Sequence, residues 1–161
     1  MCNTLVDDVI GNLGQTVNAL EIALGLASIH DEVVKALTRA GHTVYNYREP
    51  TSGGHGFSWE QIDPNYKNWT AQQYLQALYK EPAQRGFWRD FDAMNEASIF
   101  VGVGPLGNDS SCEMAWAAGR GKKTILLIDE SNFRPELMSK IFTFRVTEIQ
   151  DVINILEAIK K

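Results

Sequence analysis

Two short apolar runs with a helical pattern between them constrain this chain more than any other feature. The first, SIFVGV, carries the β-branched residues Ile99, Val101 and Val103 and reads as a buried strand. The second, TILLID (Thr124 to Asp129), reads the same way. Between them, GPLGNDSSCEMAWAAGRGKK (Gly104 to Lys123) supplies a polar loop with glycines, a proline, Asn108, Asp109 and Ser110, and then a helix over Ser111 to Ala118. Strand, loop, helix and strand in that order make a right-handed crossover within a parallel sheet.

The rest of the chain repeats the alternation. IHDEVVKALTRAGH places Ile29, Val33, Val34, Leu37 and Ala40 on one helical face and stops at Gly41, and TVYNY (Thr43 to Tyr47) follows as a strand. NWTAQQYLQALYK predicts a helix capped near Thr70, with Tyr74, Leu75, Leu78 and Tyr79 as its apolar face. A further helix, Ala83 to Glu96, turns Phe87, Phe91 and Met94 inward. After TILLID come a short helix from Pro135, the strand IFTFRV and the terminal helix TEIQDVINILEAIKK. The expectation is an α/β fold, doubly wound, with a Rossmann- or flavodoxin-like, mostly parallel sheet and helices on both faces. At the N-terminus, Val6, Ile10, Leu13, Val17 and Leu20 recur at helical intervals, while ALEIALGLAS fits either a continuation of that helix or the first strand. No repeat, low-complexity tract or linker divides the sequence, so residues 1–161 read as one domain, with 1–28 an atypical N-terminal segment and 48–69 an aromatic-rich loop.

Composition narrows the function. A chain of 161 residues, 44% hydrophobic and 22% charged, can bury a core without disulfides or metals. Its net charge is -5 and its basic residues are scattered, densest at GRGKK (Gly119 to Lys123), so no nucleic-acid partner is expected. Cys2 and Cys112 are far apart and outside any metal-ligand spacing, which fits a reducing, cytoplasmic setting. No apolar run approaches the roughly 18 residues of a membrane span, and no basic segment followed by an apolar one opens the chain. A soluble, unexported protein with no membrane partner is expected.

Several residues are candidates for chemistry. Glu113, in the first turn of its expected helix, either complements the helix dipole or faces a cleft at the strand's carboxyl end, where open α/β sheets bind ligands. Gly104 opens the loop at that end. Ser110 and Ser111 can cap the helix and donate to an anion. Asp90 and Asp92 are two apart on a helix, so at most one points into a cleft. Phe57, Trp59, Tyr66 and Trp69 either form a wall that stacks on a planar ligand or pack the loop onto the domain; as a group they favour an aromatic-lined pocket. His55 sits in a glycine-rich turn as a possible general base or a solvated side chain, and Cys112 reads as a buried structural thiol. GPLGNDSSCE is neither a GxGxxG nor a P-loop pattern.

The order RDFDAMNEASIFVGVGPLGNDSSCEMAWAAGRGKKTILLI resembles the nucleoside 2-deoxyribosyltransferase family over about a quarter of the chain. The family pattern is an aspartate, a helix, an apolar strand, a polar loop, then Glu-hydrophobic-Gly-aromatic-Ala and a Gly-Lys before the next strand. Here Ala115 stands at the glycine, and EIALGLASIHDE stands where the family opens with a Tyr- and Gly-Pro-containing strand. The resemblance implies cleavage or exchange of the N-glycosidic bond of a 2-deoxyribonucleoside, with Glu113 as nucleophile forming a covalent deoxyribosyl intermediate. It implies Asp90 as the acid for the departing base and Asp109 or Ser110 near the sugar hydroxyls. It further implies a nucleoside or nucleotide as partner, a homo-oligomer, and no metal or organic cofactor. A hydrolase acting on 2-deoxynucleoside 5-monophosphates, in which Ser110 and Ser111 hold phosphate, and a non-catalytic nucleotide-binding or sensory module are the alternatives. Chemically, a carboxylate beneath the anomeric carbon stabilises an oxocarbenium-like transition state and can bond to it, while a second carboxyl group protonates the leaving group.

Overall fold

The computed structural model describes residues 20–23, 27–50 and 54–160. The helical periodicity from Val6 to Val17 lies outside them. The elements are β1 (Leu20–Ala23), α1 (Ala27–Arg39), β2 (Val44–Tyr45), α2 (Ala71–Ala77), α3 (Glu81–Glu96), β3 (Ile99–Gly104), α4 (Asn108–Gly119), β4 (Lys123–Ile128), β5 (Phe144–Val146) and α5 (Ile149–Ile159), with short 3₁₀ turns at Trp59–Gln61, Tyr66–Asn68 and Leu137–Ile141. Within ALEIALGLAS, Leu20–Ala23 is a strand. The strand order is β2-β1-β3-β4-β5. β1 and β3, β3 and β4, and β4 and β5 all pair in parallel, with Ile22 opposite Val101, Val101 opposite Ile125, and Ile125 opposite Phe144. This is the flavodoxin-like order of a doubly wound α/β sheet.

The chain forms two compact units: the described residues of Met1–Val44 and Ala97–Lys161, and those of Tyr45–Glu96. In the first, every position of β3 is buried, as a central parallel strand requires. Ile99, Val101 and Val103 of β3 and Ile125 and Leu127 of β4 alternate onto one face and meet Val33 and Leu37 of α1 and Val152, Leu156 and Ile159 of α5. Each such side chain contributes roughly 1.5 to 3 kcal/mol by leaving water. On the other face, α4 covers the sheet through Met114 and Ala117, both fully buried. Gly41 and Gly121, at φ 83° and 74°, end α1 and α4. The N–H of His42 reaches the carbonyl of Leu37 and that of Gly41 the carbonyl of Thr38, and Lys122 and Gly121 repeat the pattern with Ala117 and Ala118. Both ends are therefore Schellman motifs, for which glycine is suited because a left-handed residue there carries no Cβ penalty.

In the second unit, Thr70 caps α2 as its sequence predicts, and the structure adds a capping box with Gln73. The expected apolar face of α2 is not the buried one. Ala77 is buried, whereas Tyr74, Leu75 and Tyr79 are exposed; the short helix lays a small residue inward, and Tyr74 packs edge-on against Trp59 at 5.6 Å. Along α3, Met94 is buried as expected, but Phe87 is exposed and stacks on Phe91 at 5.5 Å. Ala83 and Gly86 take the inward positions instead, because a Cβ at Gly86 would stand 2.7 Å from that of Phe57. The strands within TVYNY and IFTFRV shrink to Val44–Tyr45 and Phe144–Val146, and the short helix after Pro135 is a 3₁₀ turn.

His42, directly after the α1 cap, is 7% exposed, and neither ring nitrogen has a hydrogen-bond partner. Burial lowers its pKa below the ordinary 6.5, Lys160 lowers it further, and Glu157 opposes them. As pH falls below 6.5, the unfolded chain takes up a proton that the folded chain refuses until its own lower pKa is reached, so stability declines across that window. His42→Leu is expected to remove this slope: between about pH 7.5 and about pH 5.5 its urea midpoint falls less than that of the wild type.

Candidate functional site

The first group of candidate residues lies on α4, and its placement begins with β3. Gly102 is buried against this helix: a Cβ there would lie 3.1 Å from both Leu106 Cδ2 and Met114 Cε. The missing side chain lets α4 settle closely on the strand. The helix starts three residues earlier than its sequence predicts. Gly107, in extended conformation, is the N-cap, and the Ser111 N–H donates to its carbonyl at 2.9 Å. Asn108, Asp109 and Ser110 are thus the first turn and not a loop; residues of these types favour turns and caps in isolation, and here the tight seating of α4 overrides that preference. Neither Ser110 nor Ser111 caps the helix: Ser110 is buried at 3% exposure and Ser111 is exposed. Cys112, expected to be buried, is exposed, because the buried stripe of α4 runs through Ser110, Met114 and Ala117.

Glu113 is half-buried in the second turn, and Asp109 is the acid of the first. The dipole field falls off within the first turn, so dipole complementation explains Asp109 better than Glu113. Asp109, Glu113 and Trp116 recur at helical spacing along one flank of α4. Trp116 tilts against Phe100 at 6.3 Å, with Arg120 5.2 Å and Lys122 Nζ 5.7 Å from its ring. A cleft of about 920 Å³ opens at the carboxyl ends of β3 and β4, with Gly104, Asn108, Ser111 and Ala115 on one side and the segment from Phe133 to Phe142 on the other. Two positions from Ser111, Glu113 is turned roughly 200° around the helix from that wall. The structure thus brings Gly104 and Ser111 to one cleft and sets Glu113 with Asp109 on a different flank of α4.

The second group lies in the second unit. Asp90 on α3 accepts at Oδ1 from the Tyr45 hydroxyl at 2.5 Å and from Arg89 Nε at 3.1 Å. Arg89 Nε also donates to the Tyr45 oxygen at 3.2 Å, and its Nη2 lies 3.1 Å from the same carboxylate oxygen. Asp92 is exposed, so only one of the two aspartates enters a network. Burial, then the hydrogen bond to Asp90 and that group's charge, raise the Tyr45 pKa well above 10.0, with Arg89 opposing. Burial works against the Arg89 cation, but Asp90 and Tyr45 outweigh it and raise its pKa. The sequence reading missed Tyr45 and Arg89. Tyr45 was legible only as a strand residue, since nothing in the chain pairs it with a position 45 residues away.

The aromatic loop packs chiefly on itself. Trp59 meets Phe57 at 4.9 Å, Trp69 at 5.7 Å and Tyr74 at 5.6 Å, each edge to face, and Tyr66 meets Trp69 at 6.2 Å. Trp69 Nε1 donates to Asp63 Oδ2 at 2.7 Å, which with the Asn65 N–H holds that carboxyl below its usual pKa. Phe57 also lines a cleft of about 560 Å³ with His55, Arg85 and Arg89. Among the described residues no group of three or more His, Cys, Asp or Glu side chains is arranged to hold a metal ion, and no helix is long and apolar enough to cross a membrane.

No protein-family model matches the sequence, and no curated protein does. Solved structures match it in fold. A 2-deoxyribosyltransferase from the psychrotolerant bacterium Bacillus psychrosaccharolyticus matches with a TM-score of 0.54 at 17% identity, over 84% of this chain and 90% of that one. A conserved protein from Enterococcus faecalis matches with a TM-score of 0.55 at 12% identity, over 88% of this chain and 98% of that one. A CMP N-glycosidase from Clostridium botulinum aligns at a TM-score of 0.48 and 16% identity, over 87% and 98%. The chain thus shares the doubly wound α/β fold of a 2-deoxyribosyltransferase, and the resemblance read from its sequence holds at the level of the fold.

The network around Asp90 generates an optical expectation. In an alkaline titration followed by tyrosinate absorbance, Tyr45 is expected to ionise in a late phase, well above the ordinary tyrosine value of 10.0. Tyr45→Phe is expected to remove that late phase.

Proposed function

We propose that the protein cleaves or exchanges the N-glycosidic bond of 2-deoxyribonucleosides through a covalent intermediate on Glu113. The observation that carries this reading is the fold shared with a 2-deoxyribosyltransferase by a chain whose own sequence aligns an acid-bearing helix, an apolar strand and a glutamate-bearing helix with that family's order. A Glu113 carboxylate oxygen attacks the anomeric carbon, the bond from that carbon to the base nitrogen breaks, and its electron pair departs with the base. Asp90 gives the base its proton. With Oδ1 engaged by Tyr45 and Arg89, the exchangeable proton belongs on Oδ2. In the second half-reaction another base, or water, takes the sugar from Glu113, and Asp90 accepts the incoming proton.

Asp109, one turn before Glu113 on the same flank of α4, is assigned to the sugar hydroxyls, with Ser110 behind it in the first turn. Phe57 and Trp59, neither fully buried, offer ring surface to a base. Tyr45 and Arg89 act as positioning residues, fixing the rotamer of Asp90. A second reading, hydrolysis of a 2-deoxynucleoside 5-monophosphate, is supported by the exposed Ser111 hydroxyl beside Gly104 on the cleft at the ends of β3 and β4.

Intact-protein mass spectrometry after brief exposure to deoxynucleosides and their monophosphates tests both. A deoxyribosyl adduct on the wild type, absent in Glu113→Ala together with a loss of turnover of roughly a thousandfold or more, is expected. A new nucleoside as product marks transfer, and free deoxyribose or its phosphate marks hydrolysis. Ligands that raise the melting temperature without adduct or product would replace the enzyme with a nucleotide-binding module.

A further inference from the structure

The second unit holds a cleft whose charged side chains are all basic. Its walls include His55, Phe57 and Gln61 from the loop and Arg85 and Arg89 from α3, in a volume of about 560 Å³. Arg85 and Arg89 are four apart on a helix, so both guanidinium groups lie along one face. No aspartate or glutamate lines the cleft, although the whole chain carries a net charge of -5. The cleft is a built feature of the unit. Gly86 lets Phe57 approach α3, and a Cβ at Gly56 would stand 2.2 Å from the Tyr47 carbonyl oxygen, so the loop can follow this path only with glycine there. The Gly56 N–H donates to the Arg48 carbonyl and Gln61 Nε2 donates to the Gly56 carbonyl, at 2.9 and 3.1 Å, which fixes the rim.

Each of the two cations is paired with one carboxylate outside the cleft lining. Among the described residues Arg85 is paired with Glu81, at 2.7 Å, and both side chains are about two-thirds exposed; such a pair is weak and easily exchanged for a phosphate dianion. Arg89 is ion-paired with Asp90, its Nε and Nη2 each 3.1 Å from Oδ1, and the Nη2 contact lacks hydrogen-bond geometry, which leaves that buried donor able to take an acceptor. We propose that this cleft binds a phosphate monoester, its dianionic head held by Arg85 and Arg89 with His55 beside them and its organic body against Phe57 and Pro82. Guanidinium forks match phosphate oxygens in pairs, and the cleft is larger than a bare phosphate ion needs. The inference shares Phe57 and Arg89 with the glycosidic reading, and Arg85, which that reading does not use, separates the two.

Calorimetric titration at constant ionic strength with phenyl phosphate, inorganic phosphate and phenol tests it. Phenyl phosphate is expected to bind saturably and more tightly than either of the others. Arg85→Gln, at an exposed position that touches neither Asp90 nor Tyr45, is expected to weaken it about tenfold, and Glu81→Gln to strengthen it by freeing Arg85. Glu113→Ala is expected to bind it like the wild type, so loss of glycosidic turnover and loss of this site are read separately. Equal binding by wild type and Arg85→Gln, or no saturable binding, overturns the site; inorganic phosphate binding as tightly as phenyl phosphate overturns the organic body of the ligand.

Discussion

The close seating of α4 on β3 is the contact from which the first unit's functional geometry follows. β3 is buried along its whole length, and at Gly102 it presents no side chain to the helix above. Met114 fills that space with its flexible thioether, fully buried, and Leu106 closes on it from the loop. Fixing Met114 on the sheet fixes the helical phase of every other residue of α4. Ser110 and Ala117 must then point inward, Ser111 and Ala115 must line the cleft at the strand ends, and Asp109, Glu113 and Trp116 must share the remaining flank. A side chain at position 102 would press on the ends of Leu106 and Met114, 3.1 Å from its Cβ, and both would have to give way.

The legible part of the fold was the part where local chemistry and tertiary demand agree. Ile99, Val101 and Val103 are β-branched and central, Gly41 sits at a left-handed cap, and Thr70 caps α2. Misreadings arose where a small residue, not a large one, decided the packing. Ala77, Ala83 and Gly86 face inward on α2 and α3 because they allow close approach, while Tyr74, Tyr79 and Phe87, which periodicity marks as core, stay at the surface. The start of α4 was misplaced for a related reason. Asn108, Asp109 and Ser110 carry loop propensities, and nothing local reveals that Gly107 already closes the first turn.

The candidate site divided in the same way. Single residues on recognisable elements, Glu113 and Asp90, could be named from the sequence. Their supporting groups could not, because hydrogen bonds between distant positions leave no periodic trace. Tyr45 and Arg89 both converge on one oxygen of Asp90, and Arg89 also bonds the tyrosine, closing a three-membered ring of contacts. Each member restrains the rotamers of the other two, so the carboxyl group is held in one orientation by side chains that are themselves partly buried.

The register of α4 also changes what Glu113 has to explain. Had the helix begun at Ser111, an acid at position 113 would be accounted for by the positive end of the dipole, and nothing functional would follow. With Gly107 as the cap, that account passes to Asp109, and Glu113 stands one turn further along, half-buried. A carboxylate gains little there from capping, so the helix dipole does not account for an acid at this position of α4.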